Sequence, residues 1–240
     1  MRLARTIALV RGAVLILALA TFTDSAHATV IAAADTYLTE HSGLGGTASN
    51  HGTDTTLWVI GSGGFQSLPL VFFDLSGFLG QTVMGPGTLT FNVASTFSGS
   101  SVTQDLAIYP VLISWGETTV TWSNFGASAG PDAGADYSST AIDSQTATVG
   151  PGGTVIFSIA AGVLQGWIND GTTNFGLILG SSTATTQQDI VIASREFGSV
   201  AGPSLDFSTD GAVPEPATAV LCAAGLALAG IRKYISAQAG

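Results

Sequence analysis

The central part of the chain consists of short runs in which apolar and polar residues alternate. In residues 88–93 the side chains of Leu89, Phe91 and Val93 fall on one face, and residues 155–159 repeat the pattern. A period of two, in segments rich in Thr, Val, Ile and Phe, is typical of strands with one buried face. The same reasoning predicts strands over residues 55–60, 70–75, 104–113, 118–122, 175–179, 190–194 and 204–207.

Two segments depart from this pattern. Residues 160–168 place Val163, Leu164 and Trp167 at helical spacing, which predicts one short helix. Residues 126–153 are rich in Gly, Ser, Ala and Asp, which favours a long surface loop. About nine short strands in one stretch, without an internal repeat, predict an all-β domain, a β-sandwich of the jelly-roll type.

The N-terminus has the three parts of an export signal. Residues 1–11 are basic, residues 12–20 are apolar, and Ala26 and Ala28 are two apart, as signal peptidase requires. A membrane-spanning anchor is the alternative, but about 9–12 apolar residues do not cross a hydrocarbon core of about 30 Å. We therefore predict a signal peptide over residues 1–28 and a mature chain that starts near Thr29.

The C-terminus also has three parts. The Pro214-Glu215-Pro216 triplet precedes an apolar run over residues 217–231 and then the basic Arg232-Lys233 pair, which is expected to stop in the cytoplasm. The arrangement resembles the PEP-CTERM sorting signal of Gram-negative bacteria. That resemblance implies an exosortase-type membrane protease as partner and a location at the cell surface or in the extracellular matrix. A plain tail anchor or a buried helix is the alternative. The sequence thus divides into residues 1–28, 29–210 and 211–240.

Charge excludes one class of function. Of the 16 acidic and 6 basic residues, two acids and five bases lie outside residues 29–212, which leaves that body fourteen acids, one base and a net charge of −13. Nucleic-acid binding needs Lys and Arg on phosphates, so it is excluded. The one base, Arg195, either pairs with an acid such as the adjacent Glu196 or grips a carboxylated sugar. The single Cys222 lies in the C-terminal apolar run and offers the body no disulfide.

Several short strings of the body occur in an order typical of one secreted domain. They are residues 34–37, 50–52, 55–59, 70–76, 115–124, 163–169, 174–177 and 194–196. Through these strings the body resembles, over about residues 33–207, the DNRLRE domain, a β-sandwich related to carbohydrate-binding modules. Trp58 and Phe72 stand where that family has Arg, and His51 where it has Tyr.

Catalytic and metal-binding patterns are sparse. Residues 126–130 spell G-x-S-x-G, but no helix can follow them, so the nucleophile elbow lacks its context. His41 and His51 are two histidines where zinc needs three or four ligands. Asp132, Asp136 and Asp143 share the predicted loop and leave a structural calcium ion as a hypothesis without assigned ligands. The sequence predicts no enzyme and no required cofactor.

Alternation also predicts two outward aromatic rings. Leu57 and Val59 flank Trp58, and Val71 and Phe73 flank Phe72. If these flanking side chains face the core, both rings face the outer surface of their strands. Exposed rings suit sugar faces or a partner surface, unless a loop covers them. We expect an exported, non-enzymatic surface or matrix protein whose sandwich binds extracellular polysaccharide. A purely structural or self-associating surface protein is the alternative, and a glycosidase or lyase is a third hypothesis.

Overall fold

Eleven strands and one short helix form the part of the chain that the computed structural model describes, which is residues 26–61, 65–128, 130–182, 189–199 and 201–211. Residues 27–209 make one compact unit. The strands are β1 (Ala26–Ile31), β2 (Ala34–Thr39), β3 (Thr56–Val59), β4 (Ser67–Phe72), β5 (Gly87–Thr96), β6 (Val102–Pro110), β7 (Asp143–Val149), β8 (Thr154–Ile159), β9 (Leu177–Ser181), β10 (Ile190–Ala193) and β11 (Ser204–Thr209), with helix α1 (Ala161–Asn169) between β8 and β9.

The strands form two sheets. The six-stranded sheet has the order β1-β11-β5-β10-β3, and β8 joins it by pairing with β5. The five-stranded sheet has the order β2-β4-β9-β6-β7. The pairs with a defined register are all antiparallel. Neighbours in both sheets come from distant parts of the chain, so the topology is set by long-range pairing.

The main core lies between the inner faces of the two sheets. On β5, Leu89 and Phe91 are fully buried while Thr88 is exposed and Thr90 half-buried, as the alternating pattern predicts. Phe157 of β8 packs edge-on against Phe91, with ring centroids 6.2 Å apart. Leu106 and Ile108 of β6 face this cluster from the five-stranded sheet. The predicted β-sandwich is confirmed.

The predicted helix is also confirmed. Helix α1 buries Leu164, Trp167 and Ile168 against the main core. The Gln165 amide ties it to the loop before β5, because Oε1 accepts the Val83 N–H at 2.8 Å and Nε2 donates to the Gln81 carbonyl at 3.0 Å. Among the described residues, no helix has the length and apolarity that crossing a membrane requires.

A second apolar cluster covers part of the outer face of the five-stranded sheet. The sheet contributes Leu38, Leu68, Leu70 and Ile178. Val111, Val120 and Phe125, which belong to the segment after β6, pack over these four side chains. The cover ends at Ile178 of β9, so the outer face over β6, β7 and the C-terminal end of β9 remains open, and Tyr109 and Tyr137 pack against the margin of the cluster.

Side chains of β7 close the sandwich along one side. Asp143 Oδ2 accepts the backbone N–H of Ser158 at 2.7 Å, and Gln145 Nε2 donates to the backbone carbonyl of Ile156 at 2.6 Å. Ser158 and Ile156 belong to β8, which lies in the other sheet. These bonds occupy backbone groups on β8 that would otherwise be open to pairing with a further strand.

The long loop predicted over residues 126–153 is wrong in its second half, because β7 occupies Asp143–Val149. Ala147 and Val149 are the buried positions of this strand, and the other five positions are Asp143, Gln145 and three Ser or Thr residues. The sequence signal was weak because the inward side chains are small and the outward ones are typical of loops. Strands β1 and β2 were also missed.

The strand predicted over residues 118–122 is not formed. The N–H groups of Thr119 and Val120 both donate to the Gly116 carbonyl, which makes a turn. Asn50 Nδ2 donates to the carbonyls of Glu117 and Val120 at 2.8 and 2.7 Å. A side-chain amide therefore satisfies backbone groups that a neighbouring strand would otherwise have paired.

Candidate functional site

The open half of the five-stranded sheet is a groove with a volume of about 640 Å³. Its floor is formed by outward residues of β6, β7 and β9, and the segment between β6 and β7 forms one wall. This volume lies within the range of about 300–1,000 Å³ that is usual for ligand sites. The lining residues are Gln66, Leu68, Asp105, Leu106, Ala107, Tyr109, Pro131, Ala133, Tyr137, Ser139, Ser144, Gln145, Thr146, Gly180, Ser181 and Ser182.

Two tyrosines meet in this groove. Tyr109 lies on the outward phase of β6, and Tyr137 comes from the wall; both are half-buried, with ring centroids 5.6 Å apart and planes inclined at 68°. A Cβ at Gly180 would lie 3.5 Å from Tyr109 Cε2, so a larger side chain on β9 would fill the space beside the ring. Burial, helped by nearby Tyr109, Asp132 and Asp136, raises the pKa of Tyr137.

The wall of the groove is held by a buried carboxylate. Asp136 is 4% exposed, and its Oδ2 accepts the Asp132 N–H at 2.9 Å. Gly126 has φ +83°, and a Cβ there would lie 2.0 Å from Asp136 Oδ1, so only glycine allows the loop to pass this carboxylate. Tyr137 itself forms backbone bridges to Val111 and Ala133. These contacts fix the conformation of the loop that holds the Tyr137 ring in the groove.

The groove floor carries polar side chains beside the rings. Thr146 Oγ1 donates to Asp105 Oδ1 at 2.5 Å, across the β6–β7 pair. Exposed hydroxyl groups of Ser139, Ser144 and Ser182 line the same space. Ring faces next to neutral donors and acceptors match the two kinds of surface that a sugar presents, namely C–H faces and hydroxyl edges.

Comparison with known families identifies the domain. The model of carbohydrate-binding module family 96 matches residues 26–208, about three quarters of the chain. The chain belongs to this family. The match begins at the first residue of β1 and ends within β11, so the family 96 domain comprises both sheets of the sandwich. No curated protein matches the chain.

Membership of family 96 tests the predicted resemblance to a carbohydrate-binding module. Carbohydrate-binding modules bind sugars and are typically non-catalytic, so the prediction of a domain like a carbohydrate-binding module is confirmed. The fold agrees, because the match and the sandwich have the same extent. Which surface binds and which glycan is bound are properties of the site, not of the family fold.

The two predicted platform residues of the family 96 domain lie on different sheets. Trp58 is on β3 in the six-stranded sheet, opposite Val191, and packs at the margin of the main core. Phe72 ends β4 in the five-stranded sheet. Both rings are half-buried between buried neighbours, and the structure does not bring them together on one surface.

Phe72 instead lies near two aromatic residues that were not singled out. With Trp115 and Phe175 it lines a pocket of about 220 Å³. The Trp115 indole N–H donates to the Phe175 carbonyl at 2.8 Å, which fixes the ring against the chain. The segment after β6 and the loop before β9 therefore form the surroundings of Phe72.

Arg195 is the centre of an ion-pair cluster. Its guanidinium lies 2.7 Å from Glu117 Oε2 and 2.7 Å from Glu196 Oε1, and Nη1 donates to the Ala33 carbonyl at 2.8 Å. The ion-pair role expected from the adjacent Glu196 is confirmed, and Glu117 is a second partner from 78 residues away.

Asp35 lies beneath this cluster and is 1% exposed. Its Oδ2 accepts the Arg195 backbone N–H at 2.8 Å, and its Oδ1 is buried with no hydrogen-bond partner among the described residues. Burial raises the pKa of Asp35 from 3.8 to about 7, opposed by the Arg195 N–H and assisted by the carboxylates of Glu196 and Glu117.

The histidines and loop carboxylates have local roles. His41 Nδ1 accepts the Gly43 N–H at 2.8 Å, and His51 stacks on Tyr37 with centroids 4.0 Å apart and Nδ1 2.8 Å from Asp54 Oδ2. Asp136 binds the Asp132 backbone, whereas Asp143 binds β8. Within the described ranges, no three potential metal ligands come together.

The processing signals fall at or beyond the ends of the described chain. Ala26 and Ala28 lie in β1, next to β11. Pro214, Glu215, Pro216, Arg232 and Lys233, and the predicted C-terminal apolar helix, lie outside the described residues. Cleavage and sorting at these positions stay predictions.

Sequence reasoning missed both groove tyrosines. Tyr109 could have been found, because it is the outward residue after the inward Leu106 and Ile108 of a predicted strand. Tyr137 lies in a segment of loop composition, and nothing local indicates that it returns to β6. The sequence does not show which outer face of a sheet stays uncovered, and finding both tyrosines requires that information.

Proposed function

We propose that the open groove binds a polysaccharide chain, and that the protein does so outside the cell as an exported, non-enzymatic surface or matrix protein. The observation that supports this proposal most is the Tyr109–Tyr137 pair, which lies on the floor and wall of a groove in a family 96 domain. Exposed lining residues such as Ser144, Thr146 and Ser182 show that the groove opens to solvent, so part of a long chain can lie in it.

The small number of carboxylates that line the groove supports a binding role without catalysis. Asp105 is the one carboxylate among the described lining residues. Most glycosidases need two carboxylates across the scissile bond, one as acid and one as base or nucleophile. An enzyme is therefore the weaker hypothesis for this groove.

The first test removes the ring of Tyr109. We expect Tyr109→Ala to weaken retention by the recognised polysaccharide about tenfold, or about 1.4 kcal/mol, because a sugar face loses its stacking surface. Affinity electrophoresis in gels that contain single polysaccharides measures the effect. Tyr109→Phe separates stacking from hydrogen bonding, since it keeps the ring and removes the hydroxyl.

Phe97→Ala is the matched control, because Phe97 is 59% exposed and does not line the groove. It should leave retention unchanged, and thermal melting of each variant should show an intact fold. Equal retention of the wild type and Tyr109→Ala on every glycan that binds would contradict the groove assignment. Concentration-dependent self-association without glycan binding would favour the structural alternative.

Export and sorting are proposed from the two ends of the sequence. Cleavage after Ala28 would leave residues 29–31 of β1 in the chain, and the Thr29 hydroxyl would still donate to Asp206 Oδ1 on β11. The cut would remove residues 26–28 of β1, which include Ala28, buried in the main core, and the surface interactions of His27 with Ser208 and Asp206, at 3.4 and 3.8 Å. The PEP-CTERM resemblance supports removal of the C-terminal segment by an exosortase-type protease.

Intact-mass measurement of protein recovered outside the cell tests processing. We expect a chain that starts near Thr29 and ends near residues 213–215, because signal peptidase and the sorting protease each remove an apolar end. Recovery of the Arg232-Lys233 pair would instead indicate a plain tail anchor. Replacing Pro214-Glu215-Pro216 with alanines should preserve the N-terminal cleavage and block the C-terminal one.

A further inference from the structure

Three small residues form a row that crosses the strands on the floor of the groove. Gly180 of β9 lies opposite Ala107 of β6, and Ala107 lies opposite Ser144 of β7. The residues before Ala107 and Gly180 point into the main core, so this row faces outward. All three residues line the groove. Neighbouring strands are about 4.8 Å apart, so the row is about 10 Å long from β7 to β9.

The row lies between an aromatic side and a polar side. Tyr109 is two residues after Ala107 on β6, and its ring meets that of Tyr137. On the other side, two residues before Ala107, the Asp105 carboxylate accepts a hydrogen bond from Thr146. A sugar presents a C–H face and hydroxyl edges, so a chain on the row would meet a stacking surface on one side and hydrogen-bonding groups on the other.

The strand itself does not explain why residue 180 is glycine. Glycine weakens the interior of a strand, and there it marks a bulge, a tight bend, or the close approach of a ligand or another backbone. Strand β9 pairs with β6 in regular register through Gly180, and the φ of Gly180 is not positive. A Cβ would have only ordinary contacts, the nearest at 3.5 Å from Tyr109 Cε2, so no protein backbone requires glycine here. The reason that remains is a ligand lying against the row.

The surroundings of the row favour a path across the strands over a path along them. Along β6, the covering segment that begins at Val111 closes one direction. In the other direction the outward residues are Thr103 and Thr148, which do not line the groove. Across the strands, the row reaches the exposed Ser144 on β7, the last strand of the sheet, and opens to solvent there.

From this arrangement we propose that the polysaccharide crosses the strands along the row, with a sugar ring on Tyr109, and that Gly180 is the residue that makes room for it. The inference rests on the proposed function of the groove. It adds the direction of the bound chain and a residue on which binding depends although it offers no side chain of its own.

Gly180→Val tests the role of the glycine. Valine suits a strand, and its Cβ fits beside Tyr109, so the melting temperature should equal or exceed that of the wild type. Its two methyl groups fill the space beside the ring, so retention should fall at least about tenfold. Gly180→Ala adds a single carbon and should lose less. Affinity electrophoresis in gels that contain hydroxyethylcellulose, xylan, polygalacturonate or alginate measures retention.

Two leucine substitutions on β7 test the direction of the chain. Ser144→Leu places bulk at the β7 end of the row, so it should weaken retention at least about fivefold. Thr148→Leu is the matched control, because Thr148 is exposed on the same face of β7 and does not line the groove. It should leave retention unchanged, since a chain that crosses the strands does not pass over it.

The outcomes separate this inference from the function on which it rests. Where Tyr109→Ala weakens retention, wild-type retention by Ser144→Leu, or an equal loss in Thr148→Leu, overturns the path across the strands and leaves the groove function standing. Wild-type retention by Gly180→Val, or a lowered melting temperature of that variant, overturns the role of Gly180 in the same way. No retention of the wild type on any of the four glycans refutes both the groove function and the inference.

Discussion

Replacing Arg195 with methionine is expected to lower the free energy of unfolding by about 2–3 kcal/mol at neutral pH. The substitution leaves the carboxylates of Glu117 and Glu196 without their cation, in side chains that are 15% and 27% exposed, next to the buried Asp35. The Arg195 side chain is itself 36% exposed, so water screens part of the loss and the expected value lies below the about 3–5 kcal/mol of a fully buried pair. Urea unfolding of the family 96 domain measures the change.

Controls separate charge from packing at this position. Arg195→Lys keeps the positive charge but cannot span two carboxylates with a planar fork, so it should lose less stability than methionine and more than a surface substitution. The deficit of Arg195→Met should be smaller at acid pH, where protonated carboxyls no longer repel one another. A deficit below about 0.5 kcal/mol at neutral pH would mean that the cluster is solvated in solution.

Asp35 is expected to make the domain more stable in acid than at neutral pH. Its pKa is about 7 in the folded protein and 3.8 ordinarily, so the folded state binds the proton more tightly than the unfolded state. The stability that this proton contributes is complete below the lower value and is lost as pH rises toward the upper one. The difference corresponds to about 4 kcal/mol over that window.

The measurement compares wild type with Asp35→Asn. Asparagine cannot ionise and its carbonyl still accepts the Arg195 N–H, so the variant should lose the Asp35 part of the fall in stability between about pH 4 and about pH 8. Asp74→Asn is the matched control: Asp74 is exposed, and hydrogen bonds from Ser76 lower its pKa, so its small contribution has the opposite sign. Parallel pH profiles for wild type and Asp35→Asn would contradict the burial of a titrating carboxyl.

Only part of the cluster around Arg195 can be predicted from the sequence. Arg195 stood out because it is the only base of an acidic body, and Glu196 was an evident partner because it is adjacent. Glu117 and Asp35 reach the same cluster from 78 and 160 residues away. No local pattern indicates such meetings, because they follow from the order of strands in two sheets.

The groove illustrates the same division. Alternation along β6 puts Tyr109 opposite Leu106 and Ile108, so the sequence alone places its ring on an outer face. Whether an outer face is open depends on where the segment after β6 packs, and Val111, Val120 and Phe125 cover one half of it. Tyr137 returns to β6 through backbone bridges that composition does not predict.

The sequence by itself determined strands such as β5 and β8, the sandwich and the helix over Ala161–Asn169, because each depends on side chains a few residues apart. The tertiary structure decided that Trp58 and Phe72 lie on different sheets, that Asp143–Val149 is a strand, and that the two tyrosines meet where the covered half of the sheet ends. Strand pairing brings together residues far apart in the chain, and it is their packing that leaves one surface free.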